Sequence, residues 1–545
     1  MKESIIGLLR SHGQKPTTIQ QIKDALRIND KDSFTQMMKT INLLEEETVI
    51  VPVKEDSFCL LEYSECMIGT LRINKKGFGF VDGENESVYI NERNLHSAMD
   101  QDEVLVQVKT TPYGDKEGII LRVLSNRLSA IVGNIRFRNG KPVFYPDKEN
   151  LKQHIRITNL KDFTLVDGHK VVLSIQSYGS TLTCRIDRIL GHVNDPGVDI
   201  EGILTEHSIP LEFPAEVLEE ANSIDPKITL EEYKKRTDLT KRTIITIDGD
   251  DAKDLDDAIS ITKTGHKYRL GVHIADVSYY VREGQPLDKE AYNRSTSVYV
   301  TDRVVPMLPH ALCNGICSLN PNEPRLTITC EMDIEENGTV SNYQIYPSVI
   351  RSRERMTYRN VNRILDGDET LIRKYRHIYS DLQLMADCSE RIRKHRFENG
   401  AMDFDREESE IVLNEKGKVV DIKPRERFFA ERMIEDFMVC ANETVARHMK
   451  WMEYPCLYRI HEQPPVKKMR EFVRVATIMG YPWKGNIQEV YPKQLQNMLE
   501  EAKDTEAFPV ISSWMLRSMS KAKYDPNCIG HFGLGLQEYL HFTSP

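Results

Sequence analysis

A dense group of aspartates lies in the middle of the 545-residue chain, within TIITIDGDDAKDLDDAISI (243–261). An apolar run ends at Asp248, and Asp254, Asp256 and Asp257 follow just before a second apolar run. Carboxylates held this close raise one another's pKa unless a cation offsets the repulsion, and hard oxygen ligands favour Mg²⁺ or Mn²⁺. Such a group suits two-metal hydrolysis of a phosphodiester, which must hold the attacking water and neutralise the leaving oxygen together.

Two other structures could explain an acidic segment. A solvated loop is the commonest outcome for a run of aspartates, but residues that end one buried strand and begin another are poorly placed to turn every carboxylate into bulk water. A calcium-binding EF-hand loop requires a ligand at its fifth position and glycine at its sixth, where counting from Asp248 gives Ala252 and Lys253. The pattern therefore favours an active centre.

Composition sets the class of protein. The chain is 40% apolar and 29% charged, and its length suggests roughly three to five domains, each with a core. The closest pair of the ten cysteines, Cys313 and Cys317, lacks the spacing of a zinc site, so free thiols are expected. The absence of a long apolar run or a secretory signal predicts a cytoplasmic protein. A net charge of -10 argues mildly against a nucleic-acid partner but does not exclude a local basic groove.

The first sixty residues predict a small helical module. Apolar residues recur at helical spacing in three segments, and Thr18 with Gln21 predicts a capping box at the start of the second helix. ETVIVPVKEDSFCLLEY (47–63) then predicts two strands that turn between Lys54 and Ser57. Three helices and a wing indicate a winged helix-turn-helix over residues 1–62, a fold that binds DNA, RNA or only its neighbours.

Residues 63–127 alternate with period two and predict a small β-barrel of the OB-fold or cold-shock type. Aromatic faces stack on unpaired bases while lysines meet phosphates, so this barrel is a candidate for single-strand RNA binding. Its candidate contact residues are Lys76, Phe78, Phe80 and Tyr89. A barrel that simply buries its phenylalanines is the alternative, which alternation with Gly79 disfavours.

Residues 128–215 repeat this all-β texture, and IVGNIRFRNGKPVFYPD (131–147) predicts a hairpin that turns at Asn139–Gly140. We expect a second barrel, although the lack of a lysine–glycine–aromatic run weakens the prediction that it contacts RNA. A charged helical stretch from about residue 216 then leads into the domain that carries the aspartates, which extends to residue 545.

The acidic segment resembles the catalytic signature of the ribonuclease II/ribonuclease R family of exoribonucleases, and the ribonuclease R branch fits better. The resemblance spans nearly the whole sequence and implies a multidomain α+β protein: a winged helix-turn-helix, two cold-shock-like barrels and a mixed α/β catalytic domain. Further matching blocks are HIADVSYYV (273–281), NRSTSVYVTDRVVPMLP (293–309), CSLNPNEPRLTITCEMDI (317–334), GAMDFD (400–405), ERMIEDFMVCANE (431–443), YRIHEQP (458–464) and IGHFGLGLQEYLHFTSP (529–545).

The resemblance implies hydrolysis of RNA from its 3′ end, with Mg²⁺ (or Mn²⁺) and release of nucleoside 5′-monophosphates, in RNA turnover and quality control. It implies that Asp248, Asp254 and Asp257 bind metal, directly or through water. Asp256 is implied as the acid essential for cleavage, with Asp254 also in the catalytic group.

The resemblance also implies residues that contact RNA. Tyr299 and Phe404 occupy the places of an aromatic clamp on the terminal bases, which would position the scissile phosphate; packing into the core is the alternative for both. Glu435 and Asp436 would hydrogen-bond RNA sugars, or only cap and solvate their helix.

Four histidines invite a metal-binding interpretation, but their spacing does not suit one, so we expect structural or RNA-contact roles. They are His273, His461, His531 and His541.

In relatives the HFTSP motif continues into an arginine-containing block and an S1-type barrel, so the resemblance implies that this sequence is truncated at its C-terminal end. We expect a charge-stabilising arginine beyond Pro545 to be missing and nuclease activity to be impaired. The expected partners are single-stranded RNA and RNA 3′ ends, with the ribosome or RNA-decay factors as further expected partners. A monomer is expected. A non-catalytic RNA-binding protein, acting through its barrels and helical leader, is the competing hypothesis.

Overall fold

The computed structural model describes residues 1–54, 56–83, 87–111, 116–148, 151, 153–402, 409–415, 417–425 and 428–543. The protein forms two compact units, Met1–Leu211 and Glu212–Pro545. All ten cysteines are free thiols, as predicted. Within the described residues, no helix has both the length and the apolar character needed to cross a lipid bilayer.

The first unit begins with three helices and a three-stranded sheet, which confirms the predicted arrangement of helices and wing. Thr18 starts the second helix with the expected capping box: its hydroxyl accepts from the Gln21 amide at 3.2 Å, and the Gln21 side chain accepts from the Thr18 amide at 2.9 Å. The elements are α1 (Lys2–His12), β1 (Thr17–Thr18), α2 (Ile19–Ala25), α3 (Lys31–Glu46), β2 (Ile50–Lys54) and β3 (Ser57–Leu60).

A closed five-stranded barrel follows, with strand order β4-β5-β6-β8-β7. Leu71, Val81 and Ile90 are fully buried in its interior, whereas Phe80, next to Val81 on the same strand, points outward. Closure leaves the barrel no free sheet edge. The strands are β4 (Cys66–Ile73), β5 (Gly79–Asp82), β6 (Ser87–Ile90), β7 (Glu103–Thr110) and β8 (Lys116–Ser125).

A second five-stranded sheet completes the first unit, in the order β10-β9-β12-β13-β11. Its first hairpin turns at Asn139 and Gly140, whose φ angles of 50° and 73° are those that a two-residue hairpin turn requires. The predicted turn is therefore confirmed. The elements are β9 (Ala130–Arg138), β10 (Lys141–Pro146), β11 (His154–Ile157), β12 (His169–Ser177), β13 (Thr181–His192) and α4 (Val198–Glu206).

The second unit is built on a seven-stranded mixed sheet with the order β14-β21-β20-β17-β16-β15-β22. Its strands are β14 (Thr237–Asp238), β15 (Ile245–Asp248), β16 (Asp257–Thr264), β17 (Lys267–Ala275), β20 (Pro324–Ile334), β21 (Val340–Arg351) and β22 (Glu354–Thr357). Two-stranded sheets are formed by β18 (Val298–Tyr299) with β19 (Val304–Val305), β23 (Ser409–Leu413) with β24 (Val419–Pro424), and β25 (Tyr458–Ile460) with β26 (Lys523–Asp525).

Helices cover this sheet and extend beyond it. The long helix α12 packs on the sheet and on α11, and its buried residues, such as Phe437, join the largest apolar core of the protein. The helices are α5 (Ala215–Ser223), α6 (Leu230–Lys235), α7 (Val277–Tyr280), α8 (Pro286–Arg294), α9 (Tyr358–Leu365), α10 (Glu369–Lys374), α11 (Tyr379–Glu398), α12 (Phe429–Trp451), α13 (Val466–Ile478), α14 (Pro492–Ala502) and α15 (Phe508–Ser518).

Candidate active site

The acidic segment joins two neighbouring strands of the seven-stranded sheet. Strand β15 ends at Asp248 and β16 begins at Asp257, and the two strands are antiparallel, with Ile245 opposite Ile259. Both aspartates are half-buried, while the apolar residues of the strands are buried. The segment is therefore flanked on both sides by core strands, as its apolar flanks predicted.

A buried serine fixes the middle of this acidic loop. The Ser318 hydroxyl donates to the carbonyl oxygen of Lys253 at 2.8 Å and accepts from the amide of Leu255 at 3.2 Å. The side chain of Leu255 is itself buried, and its carbonyl accepts from the Leu319 amide at 2.9 Å. These contacts set the backbone on either side of Asp254.

Two arginines hold the exposed part of the loop. Arg355 donates to the carbonyl oxygens of Asp250 and Ala252, at 2.8 Å and 2.7 Å, and Arg359 pairs with the Asp250 carboxylate at 2.9 Å. Neither arginine was predicted from the sequence. They lie in and just after β22, the strand that runs parallel to β15, and about a hundred residues separate them from the loop in the sequence, so no local signal marked them.

The carboxylates interact electrostatically. Burial raises the pKa of Asp257 to about 7, and the charges of Asp248 and Asp256 contribute in the same direction, toward the neutral form. Burial, opposed by a hydrogen bond from the Gly249 amide and assisted by the charge of Asp254, also raises the pKa of Asp248. This is the mutual penalty that a crowded acidic group incurs and that a bound cation offsets.

Asp254 and Asp256 line a cavity of about 360 Å³ within the second unit. Tyr299 is in the same wall, 68% exposed, and its phenol donates to the Asp254 carboxylate at 3.1 Å. The core-packing alternative for Tyr299 is therefore wrong. Cys313, Cys317 and Phe542 also line the cavity, and the sequence did not predict a place there for any of them.

The donor set can be compared with what a divalent cation requires. Among the residues that the structure describes, no three His, Cys, Asp or Glu side chains are arranged to hold a metal ion. The chemistry of the group nevertheless fits a hard cation, because its donors are carboxylate oxygens and the half-buried Asp257 lies beside the charges of Asp248 and Asp256.

The remaining expected RNA-contact residues of this unit differ in their positions. Phe404 lies outside the described residues, and Glu435 is half-buried on α12. Asp436 is fully buried and forms ion pairs with Arg396, which lies on α11, and with Arg393 at 3.6 Å. Asp436 therefore neither contacts RNA nor lies in solvent. Its carboxylate pairs with arginines of α11 inside the protein and so joins α11 to α12.

The four histidines take part in hydrogen bonds. His273 is fully buried between the hydroxyls of Ser260, at 2.9 Å, and Thr329, at 2.7 Å. Burial lowers the pKa of His273 to about 3, so its imidazole is neutral. The rings of His461 and His531 pack edge to face, the Gly533 amide donates to His461, and His541 contacts the Tyr524 hydroxyl at 2.6 Å. These contacts agree with the structural roles expected.

Three aromatic residues cluster on the outside of the first barrel. Phe80 lies opposite Tyr89 on the neighbouring strand, with ring centroids 5.7 Å apart, and Phe78 lies 5.8 Å from Phe80 and 5.4 Å from Tyr89. Phe80 is exposed, as is the nearby Lys76, and Phe78 and Tyr89 are half-buried. We call Phe78, Phe80 and Tyr89 the aromatic trio. The alternative of phenylalanines buried in the barrel core is wrong.

Comparison with known families agrees with this architecture. Residues 69–123 match the ribonuclease B OB domain, 144–214 the cold shock domain and 236–545 the RNB domain. The chain therefore has an OB domain, a cold-shock domain and an RNB domain in this order, which places it in the class of RNB-domain proteins.

Individual relatives agree. The chain is 37% identical to "Ribonuclease R 1" of Lactococcus lactis, over 100% of its own length and 69% of that protein. It resembles Mycoplasma genitalium RNase R, solved in complex with ribose-methylated single-stranded RNA, at a TM-score of 0.81 and 29% identity, covering 88% of this chain and 77% of that one. The same RNase R has also been solved with double-stranded RNA. The chain therefore belongs to the ribonuclease R family.

The fold also occurs in a more distant protein. Yeast Ssd1, a pseudonuclease, aligns at a TM-score of 0.67 and 18% identity, covering 88% of this chain and 66% of that one. Fold alone therefore does not establish catalysis, and the site residues have to support it.

Proposed function

We propose that this protein hydrolyses RNA from the 3′ end and releases nucleoside 5′-monophosphates. The observation that carries the proposal is the cavity in which Asp254 and Asp256 stand beside the exposed ring of Tyr299. Carboxylates next to an aromatic face provide both parts that such a reaction needs: a charged centre for the phosphate and a surface for the terminal base.

The four aspartates would have two different roles, metal binding and orientation of the attacking water. Asp248, Asp254 and Asp257 would hold the divalent cations, Mg²⁺ or in its place Mn²⁺, by a two-metal arrangement. When bound, the cations supply Lewis-acid stabilisation of charge on the phosphate. Asp256 would orient the attacking water by accepting a hydrogen bond at its carboxylate. Ser318 keeps the loop in place while this happens.

Other residues would bind the RNA strand. Tyr299, and Phe404 outside the described residues, would stack on the terminal bases, and Glu435 would hydrogen-bond a ribose. On the first barrel the aromatic trio would stack on unpaired bases while Lys76 meets the backbone phosphates, a combination that tolerates any sequence.

The setting of the reaction is also a proposal. We place it in RNA turnover and quality control in the cytoplasm, where free thiols persist. We also propose a monomer of four domains, 1–62, 63–127, 128–215 and 216–545, that acts on single-stranded RNA and RNA 3′ ends. The ribosome and RNA-decay factors are proposed partners.

A non-catalytic RNA-binding role is the second candidate, since a pseudonuclease shares the fold. The retention of all four aspartates, two of them in the cavity wall, supports the enzyme instead. The two candidates differ in whether RNA is shortened or only bound.

The test is Asp256→Asn, compared with Asp251→Asn, an exposed aspartate of the same loop. Each variant is incubated with a uniformly labelled oligoribonucleotide and Mg²⁺, and mononucleotide release and RNA affinity are measured. We expect Asp256→Asn to abolish the release that the unaltered protein gives, however reduced, while affinity survives. Asp251→Asn should release mononucleotides at the rate of the unaltered protein until EDTA is added. Release that persists in Asp256→Asn rejects the role of Asp256, and RNA binding without hydrolysis by the unaltered protein supports the second candidate.

A further inference from the structure

A buried asparagine on α12 binds the segment that follows Glu538. The carbonyl oxygen of the Asn442 amide group accepts from the backbone amides of Phe542, at 2.8 Å, and Thr543, at 2.9 Å. Its amide nitrogen donates to the hydroxyls of Tyr539, at 3.2 Å, and Thr543, at 3.1 Å. An asparagine side chain offers two donors and an acceptor with two lone pairs, so these four bonds use its full capacity.

The four hydrogen bonds of Asn442 lie in the protein interior, where a polar group that loses its partner destabilises the fold. Asn442 is 2% exposed and Thr543 is 6% exposed, so water cannot replace the amide. A buried donor or acceptor left without a partner destabilises the folded protein, because the group has given up its hydrogen bonds to water and gains none in return. Residues 541–543 belong to no described helix or strand, so hydrogen bonds of this kind help to determine their path.

The segment that Asn442 binds reaches the active centre. Phe542 lines the same cavity as Asp254, Asp256 and Tyr299, and its side chain is half-buried. Its backbone amide is fixed by Asn442 at 2.8 Å. A phenyl ring in the wall of such a cavity offers a nucleoside an apolar face.

We propose that Asn442 is a positioning residue that holds the Phe542 ring in the cavity wall, where the ring contacts the terminal nucleoside of the substrate. The proposal rests on the function proposed above. Asn442 touches no reacting atom; it acts through Phe542, which recognises a ribonucleotide by contact with its base or sugar.

A purely structural role for Asn442 makes a different prediction. Loss of folding lowers the fraction of competent protein but leaves the affinity of the folded fraction unchanged. Loss of positioning lowers the affinity for a mononucleotide. Adenosine 5′-monophosphate (AMP) is the probe, because it is small enough to report on the cavity alone. Affinity for AMP, measured by calorimetry in Mg²⁺, therefore separates the two.

The experiment compares Asn442→Ala, Phe542→Ala and a control, Thr444→Val. Thr444 is buried on the same helix, and its hydroxyl contacts the Cys440 carbonyl oxygen at 2.8 Å and the Met332 sulfur at 3.3 Å, neither of which belongs to the Phe542 segment. We expect Asn442→Ala and Phe542→Ala each to weaken AMP binding about tenfold. Amide hydrogen exchange at Phe542 and Thr543 should accelerate in Asn442→Ala but not in Phe542→Ala, and Thr444→Val should change neither quantity.

Several results would overturn the proposal. They are unchanged AMP affinity in Phe542→Ala, unchanged affinity in Asn442→Ala despite faster exchange, and no AMP binding by the unaltered protein. If Asn442→Ala does not fold, Thr543→Val removes one of the four bonds, and it should give an intermediate increase in exchange with weaker AMP binding. Failure of the unaltered protein to hydrolyse RNA would reject the proposed function, whereas exchange and AMP binding would still decide the role of Asn442.

Discussion

The Tyr299 phenol donates a hydrogen bond of 3.1 Å to the Asp254 carboxylate, so an exposed aromatic ring is tied directly to the acidic group. The ring and the hydroxyl can be removed separately. If stacking is the main role, Tyr299→Ala should weaken binding of a short oligoribonucleotide about 5- to 100-fold, and Tyr299→Phe should change it less than about twofold. Fluorescence anisotropy measures both affinities. Equal losses in the two variants would assign the binding energy to the hydroxyl instead.

Ser318→Ala should loosen the acidic loop. The change leaves the Lys253 carbonyl and the Leu255 amide without their buried partner, which we expect to lower the free energy of unfolding by about 1–3 kcal/mol. The turnover number should fall as well, because the loop carries Asp254 and Asp256. Ser518→Ala is the control, since this buried hydroxyl donates only within its own helix. Wild-type turnover in Ser318→Ala would show that the anchor does not affect the site.

Phe80→Ala should reduce the affinity of the first barrel for single-stranded RNA. Loss of one stacking ring is expected to cost about 1–3 kcal/mol of binding free energy, independent of base sequence. Leu121→Ala is a matched control, because Leu121 is 44% exposed and Phe80 37%, and both belong to the same barrel. Affinities for oligo(A) and oligo(U) measured by filter binding test this. A similar loss in Leu121→Ala would point to a general effect on the barrel.

Stability should fall in mild acid because of His273. Its folded-state pKa of about 3 lies below the ordinary value of 6.5, so the unfolded protein binds more protons between these pH values. The contribution of His273 is fully present above pH 6.5 and is lost as the pH falls toward 3, at about 1.4 kcal/mol per pH unit.

Denaturant unfolding at about pH 7.5 and about pH 5.5, on either side of the ordinary histidine pKa, measures this dependence. His273→Gln retains hydrogen-bonding capacity without a titrating ring, so the difference between the two pH values should shrink. It should not vanish, because burial also lowers the pKa of His531 to about 3. An unchanged pH dependence in His273→Gln would contradict the buried neutral imidazole.

The features that the sequence predicted correctly depend on residues close together along the polypeptide. The Thr18 capping box, the turn at Asn139–Gly140 and the strands that end at Asp248 and begin at Asp257 are each encoded within a few positions. Apolar periodicity and turn chemistry act over the same distance, so they can be read without knowledge of the tertiary fold.

The residues that the sequence analysis missed or misinterpreted depend on distant partners. Ser318 lies 63 positions from Leu255, and Asn442 lies 100 positions from Phe542. Asp436 looked like a residue for RNA or solvent because its partner Arg396 lies 40 positions earlier. Such pairs carry no local signature, since the fold alone brings them together.

Strand β16 begins with Asp257 opposite Ile274, and Ile274 in turn lies opposite Ile328 of β20. Side chains alternate between the faces of a sheet, so a slip of one residue in this pairing would exchange the two faces of β16. Asp257 would then turn away from its acidic neighbours even if every strand still formed. The register that buries the apolar residues of β16 thus also determines the direction in which the Asp257 carboxylate points. A misregistered sheet would yield a folded protein without an active centre.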